Sequence, residues 1–475
     1  MNRQTSPAER LVPGDRVDDF VIGEHAHTGA QSVLYRVTGR DTGFPLLMKV
    51  PLFASGDAAQ NMLSYETETM ILPVLSGPHV PRFVAAGDIR RMPYLVMERV
   101  EGHSLEALLP RCPLPADEVA RIGAAVADAV HRLHRQQAVH CDLKPENVIL
   151  RPDGRAVLID FGLAWHTRFP DLHAEEKRHA AGSMPYLSPE QILGVRGDPR
   201  SDVFSLGVIL YELATGELPF GLPATPGGLR QRLWMDPEPP AALANTVTPV
   251  LQEIILHCIV PQVESRYQSA AHVAFDLHHP DQVKLTERAR KVRRAGLPTQ
   301  AQRWWKARVA PILPPPPVKR AIDAAPVIMV AVDTTHPDDE RQPAIQRATR
   351  QILSLSNDFR LVCVSVIAAA PIGGEQSEAA HHIEHLVRLR NWTEPLPLPS
   401  DRLSQHVIQA ADPSAALLAF AKRNHVDLIV LGAPGPQDET LAWWRSVASG
   451  VTANAHCSVY VVRVPEKAEA DDGAP

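Results

Sequence analysis

Several features that mark particular classes of protein are scarce in this 475-residue sequence. The five cysteines lie far apart and lack the paired spacing of a disulfide framework or a zinc site. Nowhere do about eighteen apolar residues follow one another, and no apolar run follows the first basic residues, so we expect no membrane span and no signal peptide. The net charge of -6 gives no general basic surface for nucleic acid. We therefore expect a cytoplasmic protein without a membrane or nucleic-acid partner.

Proline, in contrast, is abundant, with 44 residues in the chain. Proline cannot donate a backbone hydrogen bond, so it collects in turns and connectors. Hydrophobic residues make up 45% of the chain and charged residues 21%, which is the balance of a protein that buries a core. Because a chain of this length exceeds one ordinary core, we expect two folded domains joined by an extended connector.

The first part of the chain carries groups suited to phosphoryl transfer, which depends on positioning and charge neutralisation. Lys49 lies in a strand-like apolar run and could bind the α- and β-phosphates of a nucleotide. Glu68, on the helical pattern that follows, is placed to hold this lysine by an ion pair, and Glu66 is the competing candidate. Further along, His-Cys-Asp-Leu-Lys-Pro-Glu-Asn at 140–147 is followed by Asp-Phe-Gly at 160–162.

With these motifs, residues from about 19 to 277 resemble the bacterial serine/threonine protein kinases that are related to the eukaryotic ones. The resemblance implies a bilobal protein-kinase fold, with a β-rich small lobe at 16–100 and an α-rich large lobe at 101–280, after an N-terminal extension at 1–15. It implies that Asp142 orients the substrate hydroxyl and that Lys144 contacts the transferring phosphate. Asn147 and Asp160 then hold Mg²⁺, with Mn²⁺ as an alternative cation.

Other landmarks of the family follow in order. The run 94–100 resembles the hinge strand that meets adenine, with Met97 in the gatekeeper place and with Glu98 and Val100 beside the base. The motif Ser-Pro-Glu at 188–190 resembles the end of an activation segment. The resemblance further implies two structural contacts: Glu190 pairs with Arg266, and Asp202 braces the catalytic loop.

The glycine-rich loop departs from the family pattern. Only Gly29 remains of its three glycines, because His27 and Ser32 occupy the other two places. Side chains there restrict the close approach of backbone to phosphate that glycine permits. This depletion leaves open a pseudokinase scaffold that reports nucleotide level without phosphoryl transfer. The intact lysine, metal ligands and presumed base favour an active enzyme that uses MgATP.

Cys141 is the second departure, because most such kinases have arginine at this place to receive an activation-loop phosphate. The segment 163–187 offers only Thr167 and Ser183 as serine or threonine hydroxyls. We therefore hypothesise that activity does not depend on loop phosphorylation through an arginine clamp. A redox switch at Cys141 is an alternative, although burial makes such cysteines inert.

The second part of the chain begins after a basic, proline-rich stretch that we assign as a linker at 281–325. This stretch is a docking segment for acidic partners or a solvated helix whose tryptophans pack on a neighbouring domain. From residue 326 onward, apolar strands alternate with helical patterns, which predicts a parallel sheet covered on both faces. The end of the chain, 466–475, is expected to be a disordered tail.

Residues 326–465 resemble the universal stress protein family, a doubly wound, Rossmann-like α/β fold. Asp333 ends the first strand, Gly432 and Gly435 follow a later strand, and Ser446 is in register with the last position of the family's nucleotide-binding pattern. The resemblance implies a second nucleotide at these residues. Arg445 stands in place of the third glycine, where it either adds a phosphate-binding charge or blocks the loop. The alternative role is dimerisation, which gives a homodimer.

Taken together, the sequence predicts a serine/threonine kinase that transfers the γ-phosphate of ATP to protein hydroxyls, including its own, joined to a nucleotide-sensing or self-associating module. A small-molecule phosphotransferase is a further alternative, since a kinase-like core can act on small substrates. The run from Lys144 to Asn147, the Ser-Pro-Glu motif and Arg266 favour protein substrates, because they resemble the substrate-presenting half of protein kinases.

Overall fold

A computed structural model provides the architecture of the chain. It describes residues 11–52, 58–88, 91–175, 183–222, 229–293, 326–336, 339, 341–354, 359–368, 378–396, 398, 402–424, 426–433 and 442–463.

The small lobe is a six-stranded antiparallel sheet with one helix packed beside it. Alternating apolar residues put one face of β3 and β4 into the core and leave Lys49 on the other face. The order of the strands across the sheet is β1-β2-β3-β4-β6-β5. These elements are β1 (Arg16–Val17), β2 (Phe20–Thr28), β3 (Ser32–Thr38), β4 (Leu46–Pro51), α1 (Ala58–Ile71), β5 (Phe83–Ala86) and β6 (Leu95–Glu98).

Helices dominate the large lobe, as the sequence predicts. Its centre is the contact of α2 with α4, where a Cβ on Gly123 would lie 2.5 Å from a methyl of Leu210, so glycine permits the close approach. The helices are α2 (Ala116–Arg135), α3 (Pro189–Ile192), α4 (Arg200–Thr215), α5 (Pro240–Leu243), α6 (Pro249–Cys258) and α7 (Ala270–His278). Short strands β7 (His103–Ser104), β8 (Ala138–Val139), β9 (Val148–Leu150), β10 (Ala156–Leu158) and β11 (Trp165–His166) border the cleft.

Short segments of 3-10 helix connect these elements and continue past the last helix of the lobe. They are Leu72–Val74, Leu105–Arg111, Pro145–Asn147, Leu172–Glu175, Arg230–Leu233, Val263–Ser265, Pro280–Gln282 and Glu287–Arg290. The last turn falls in the stretch that the sequence analysis assigned to the linker. It packs on the large lobe, because Gln252 donates to Arg288 O at 2.9 Å and Arg288 pairs with buried Glu253 at 3.1 Å. These contacts join positions more than 30 residues apart, which local sequence patterns do not reveal.

The second domain is a five-stranded, all-parallel sheet with helices on both faces. Its strand order is β14-β13-β12-β15-β16, and every residue of β12 is buried, as a central strand requires. The elements are β12 (Val327–Ala331), α8 (Arg341–Ser354), β13 (Arg360–Ile367), α9 (Glu378–Thr393), β14 (Leu403–Gln409), α10 (Pro413–Arg423), β15 (Leu428–Ala433), α11 (Ala442–Asn454) and β16 (Ser458–Arg463). The predicted doubly wound fold is therefore confirmed.

One helix of this domain lies where the sequence carries no recognisable pattern. Helix α9 falls within the stretch 371–399, which contains many prolines and histidines, and strand β14 follows that stretch. The helix forms because Leu386 and Leu389 pack fully into the core against the sheet. In the described part of the chain, no helix has the length and apolar content to cross a membrane.

Candidate active site

Lys49 lies at the centre of the cleft between two carboxylates. Its Nζ is 2.6 Å from Glu68 Oε2 on α1 and 2.9 Å from Asp160 Oδ1. Glu68 also accepts the backbone N–H of Phe161 through its other oxygen, at 3.2 Å. Glu68, and not Glu66, is thus the carboxylate beside the lysine, and it joins α1 to the Asp-Phe-Gly segment.

The charges of this group fix one another's protonation states. Burial alone would lower the pKa of Lys49, but Asp160 and Glu68 outweigh it and raise that pKa above its ordinary value. Burial would likewise raise the pKa of Asp160, but Lys49 dominates and lowers it to about 2. Lys49 is therefore a cation and Asp160 an anion across the physiological pH range, which suits phosphate and metal binding respectively.

The catalytic loop is held by Asp202, which is fully buried on α4. Its carboxylate accepts the backbone N–H groups of His140 and Cys141 at 2.8 and 3.0 Å, and it contacts His134 Nε2 at 2.8 Å. Cys141 adopts a left-handed backbone with a φ of 62°. Such a conformation is uncommon for a residue with a side chain, and the two hydrogen bonds to Asp202 hold it in place.

Asp142 emerges from this loop at the floor of the cleft. Asn147 Nδ2 donates to its backbone oxygen at 2.9 Å and to its carboxylate at 3.2 Å. Lys144 Nζ lies 3.5 Å from the same carboxylate, whose other oxygen accepts the Ser183 N–H at 2.7 Å. The Asp142 carboxylate thus faces both the Lys144 ammonium group and the segment at which substrate would lie.

Two oxygen-bearing side chains here suit a small divalent cation. Asn147 and Asp160 are brought together because Ile159, the residue before Asp160, donates its N–H to Asn147 O at 2.9 Å. Among the described residues no group of three or more His, Cys, Asp or Glu side chains could hold a metal ion. Oxygen atoms are the ligands that Mg²⁺ prefers, and such a cation takes its remaining ligands from phosphates and water.

The positions expected to meet adenine lie at the end of β6. Met97 and Glu98 are buried, and Val100 follows two residues after the strand. Glu98 is fixed by Arg151, at 2.5 Å, and its N–H donates to Arg82 O at 2.8 Å. The side chain and the backbone N–H of Glu98 are therefore both committed to contacts within the protein.

Gly29 occupies the hairpin between β2 and β3. Its N–H donates to Ser32 O at 2.9 Å, and an added Cβ would meet no atom closer than 3.6 Å. The hairpin itself therefore does not require glycine. Room for an approaching phosphate is the remaining physical reason for it.

The environment of Cys141 shows what replaces the missing arginine. Buried Arg196 places its Nε 3.0 Å from Asp171, in the activation segment, and donates to Leu163 O at 2.7 Å. Burial raises the pKa of the Cys141 thiol to about 12, with Arg196 opposing, so the thiol is neutral and a poor redox nucleophile. The sequence analysis missed Asp171 and Arg196, whose 25-residue separation gives no local signal.

The ion pair between Glu190 and Arg266, expected at the end of the activation segment, is present. Fully buried Arg266 contacts both oxygens of Glu190, at 2.8 and 3.1 Å, and also donates to Arg200 O. A third missed residue is His173, whose Nε2 lies 3.2 Å from Thr67 Oγ1 on α1 and 2.8 Å from Gly162 O. Burial lowers its pKa to about 4, so this bridge between α1 and the Asp-Phe-Gly segment is uncharged.

The crevice of the second domain lies at the carboxyl ends of β12 and β15. A shallow, open depression there is lined by Asp333, Gln342, Ile345 and Gly432, among others. An added Cβ on Gly432 would come within 2.9 Å of Ile345, so glycine here also serves packing. Gly435 lies outside the described residues, as do the side chains of Arg445 and Ser446.

A β-rich lobe and an α-rich lobe enclose a lysine that lies between two carboxylates. An Asp and an Asn lie beside it on a braced loop. This arrangement defines the protein-kinase class of phosphotransferases. Residues 20–277, more than half of the chain, match the family described as protein kinase domain. The chain therefore belongs to the protein kinase family. Residues 326–463 match the universal stress protein family.

Bacterial serine/threonine-protein kinases are among the curated relatives of the chain. The chain is 33% identical over 304 residues to the serine/threonine-protein kinase Pkn1 of Myxococcus xanthus, which is 62% of this chain and 40% of Pkn1. It is 32% identical over 259 residues to the serine/threonine-protein kinase PknL of Mycobacterium tuberculosis, 54% of this chain and 64% of PknL. The matches thus span about two fifths to two thirds of these relatives' lengths.

Glu66 gives the site region a pH dependence that can be measured. Burial raises its pKa from 4.5 to about 8, with Arg390 opposing. A carboxyl whose pKa is raised on folding stabilises the fold below its ordinary pKa, and that contribution is lost as the pH rises towards 8. Glu66→Gln has no proton to lose. Its free energy of unfolding should therefore rise relative to wild type by up to about 1.4 kcal/mol per pH unit between pH 5 and 8.

The measurement is denaturant unfolding of both proteins at pH 5, 6, 7, 8 and 9. Glu101→Gln, at an exposed position, is the matched control and should show a constant difference from wild type. Parallel curves for wild type and Glu66→Gln would contradict the burial of an uncompensated carboxyl.

Proposed function

We propose that the protein is a serine/threonine kinase that transfers the γ-phosphoryl group of ATP to hydroxyls of protein substrates, including its own. The observation that supports this most directly is Lys49 at 2.6 Å from Glu68 and 2.9 Å from Asp160. A kinase is competent for transfer when this ion pair and this aspartate are in place together. The curated relatives that match the first domain carry the same activity in their names.

Bound MgATP supplies the phosphoryl group and the cation charge, and the residues of the chain supply position and electrostatics. Lys49 binds the α- and β-phosphates, while Asn147 and Asp160 hold the cation. Asp142 accepts the hydrogen bond of the substrate hydroxyl and aims its oxygen at the phosphorus. Lys144, beside that carboxylate, neutralises charge on the phosphoryl oxygens as they separate from the leaving group.

A pseudokinase scaffold, the alternative hypothesis, has less support. Its motivation was the loss of two glycines beside Gly29, but the hairpin keeps its turn without them. Every charged group that transfer needs is arranged around the cleft. A small-molecule phosphotransferase would not need the Glu190–Arg266 pair, which braces the segment where protein substrates bind.

Asp142→Asn tests the activity directly. Because the amide cannot accept the hydroxyl proton, we expect the rate of phosphoryl transfer to a generic basic protein to fall at least about 100-fold. Transfer from labelled ATP is measured, with Asp153→Asn on an exposed turn as the matched control that keeps the wild-type rate. If wild type and Asp142→Asn both gave only background labelling, the result would contradict kinase activity and favour the scaffold hypothesis.

We further propose that activity does not require phosphorylation of the activation segment. A phosphate in that segment normally supplies a negative charge for arginine to hold. Here the carboxylate of Asp171 supplies this charge to Arg196, and both side chains are about nine-tenths buried. Thr167 is instead engaged at the surface, where its hydroxyl donates to Gln137 at 2.8 Å.

Phosphatase treatment is the test of this independence. We expect the treated protein and Thr167→Ala to keep wild-type activity within about twofold, and Asp171→Asn to lose at least about tenfold because Arg196 loses its counter-charge. Initial rates with labelled ATP provide the measurement. A large loss on phosphatase treatment, with Asp171→Asn active, would contradict the proposal.

For the second domain we propose a nucleotide site in the crevice beside Asp333 and Gly432, with self-association as the alternative role. The crevice lies at the carboxyl ends of parallel strands, where such folds bind ligands.

The location proposed for the whole protein is the cytoplasm, and its support is the sequence composition.

Counting bound nucleotide tests the second site. Equilibrium dialysis with a non-hydrolysable ATP analogue should give two molecules per wild-type chain and one for Asp333→Ala, because the variant loses a group at the crevice. Glu394→Gln, exposed on the same domain, should bind two. One molecule per chain in all three proteins would remove the claim and leave self-association.

A further inference from the structure

The second domain contacts the kinase domain at two elements on which the active arrangement depends. Helix α1, which carries Glu68, packs against α9 of that domain. The first part of the activation segment, 163–172, lies against the amino ends of the second domain's strands, where Phe169 and Leu403 are among the residues that line a shared groove. In this second contact, hydrogen bonds cross from one domain to the other.

Two hydrogen bonds tie the activation segment to the second domain. The Asp171 N–H donates to Asn424 Oδ1 at 2.7 Å. The side chain of Arg360 donates to the backbone oxygen of Arg168. Asn424 follows α10 directly and Arg360 opens β13, so both groups belong to the amino edge of the parallel sheet. Because the two bonds reach positions three residues apart, they fix the course of the chain between those positions.

Asn424 is itself held firmly at the end of α10. Its Nδ2 donates to Phe420 O at 2.9 Å, and its backbone N–H donates to the same oxygen at 3.0 Å. Phe420 is 1% exposed and belongs to the core of the second domain. The amide of Asn424 therefore uses its nitrogen for its own domain and its oxygen for the activation segment, which fixes its orientation.

Asp171 connects this hydrogen bond to the cleft. Both of its carboxylate oxygens lie 3.0 Å from Arg196 Nε, and Arg196 Nη2 donates to Leu163 O at 2.7 Å. Leu163 directly follows the Asp-Phe-Gly segment, so Arg196 anchors the point at which the activation segment begins. Because the Asp171 and Arg196 side chains are about nine-tenths buried, a shift of the Asp171 backbone would leave two charges poorly paired.

We propose that Asn424 is a positioning residue for phosphoryl transfer: by accepting the Asp171 N–H it places the Asp171 carboxylate against Arg196 and holds the start of the activation segment beside the cleft. The second domain thereby supplies part of the active arrangement of a segment that carries no phosphate. This inference rests on the proposed kinase function.

A purely structural role for Asn424 gives different expectations. Asn454 ends α11 with the same kind of bond, from its Nδ2 to Gly450 O at 2.9 Å, at an exposed position. Loss of such a bond alters the end of a helix without an effect on the activation segment. Asn454→Ala is therefore the matched control for Asn424→Ala.

The experiment compares these variants in the full chain. Asn424→Ala removes the acceptor, so we expect kcat/KM for phosphorylation of a generic basic protein to fall about fivefold, the size of effect typical of one lost hydrogen bond. Asn424→Asp keeps an oxygen that can accept the Asp171 N–H, so most of the activity should return. Asn454→Ala should stay within about twofold of wild type.

A double-mutant cycle with Asp171→Asn tests whether Asn424 acts through the Asp171 carboxylate. The Asp171→Asn protein already lacks the negative charge that faces Arg196, so the exact placement of this side chain no longer matters. In that background, Asn424→Ala should therefore lower kcat/KM by less than about twofold.

Amide hydrogen exchange of peptides covering 163–172 gives a second readout, which requires no catalysis. It therefore distinguishes failure of this inference from failure of the proposed kinase activity. Exchange should be faster in Asn424→Ala than in wild type and Asn454→Ala, because the segment loses a tie to the second domain. Equal exchange in all three proteins, equal effects of Asn424→Ala in both backgrounds, or an Asn424→Asp protein no more active than Asn424→Ala would overturn the proposal.

Discussion

The charge group of Lys49, Glu68 and Asp160 is the constraint on which the rest of the kinase domain depends. Asp160 and Glu68 raise the pKa of Lys49 against the effect of burial, and Lys49 in turn lowers the pKa of Asp160 to about 2. The three side chains come from β4, α1 and the Asp-Phe-Gly segment, so no single element can form the group alone. The fold must bring a strand, a helix and a loop to one point.

Each of those three elements has its own means of support. Strand β4 lies in the middle of the small-lobe sheet, paired with β3 on one side and β6 on the other. The Asp-Phe-Gly segment is tied to Asn147 through Ile159 and to α1 through His173. Helix α1 is the element whose support is partly external to the kinase domain, because α9 of the second domain packs on it. Control of the enzyme is therefore expected at this helix more than at a phosphorylated loop.

Much of this arrangement could be predicted from the sequence, because the relevant residues lie in short contiguous motifs. Lys49, Asp142 and Asp160 are such cases, and the alternation of apolar strands and helices predicted both domains. The choice of Glu68 over Glu66 rested on spacing, and the structure has Glu68 against the lysine. The sequence also shows that the glycine-rich loop has lost two of its three glycines. It does not show that the hairpin keeps its turn without them.

What the sequence could not reveal are contacts between distant positions. Asp171 and Arg196 replace the missing arginine through a buried pair, and neither belongs to a recognisable motif. Helix α9 is obscured by a histidine-rich composition, although it makes the contact between the domains. Glu66 looked like a competing partner for Lys49, whereas its side chain is buried away from the lysine and burial raises its pKa to about 8.

Amide hydrogen exchange of helix α1 tests the central claim most directly, that the second domain holds this helix in its active position. Peptides covering 58–71 would be compared between the full-length wild type and Leu386→Ala, which removes a buried side chain of α9 from the cluster that it shares with α1, with peptides from α4 as the internal reference. The account predicts faster exchange in α1 of the variant and unchanged exchange in α4. Equal protection of α1 in both proteins would contradict it.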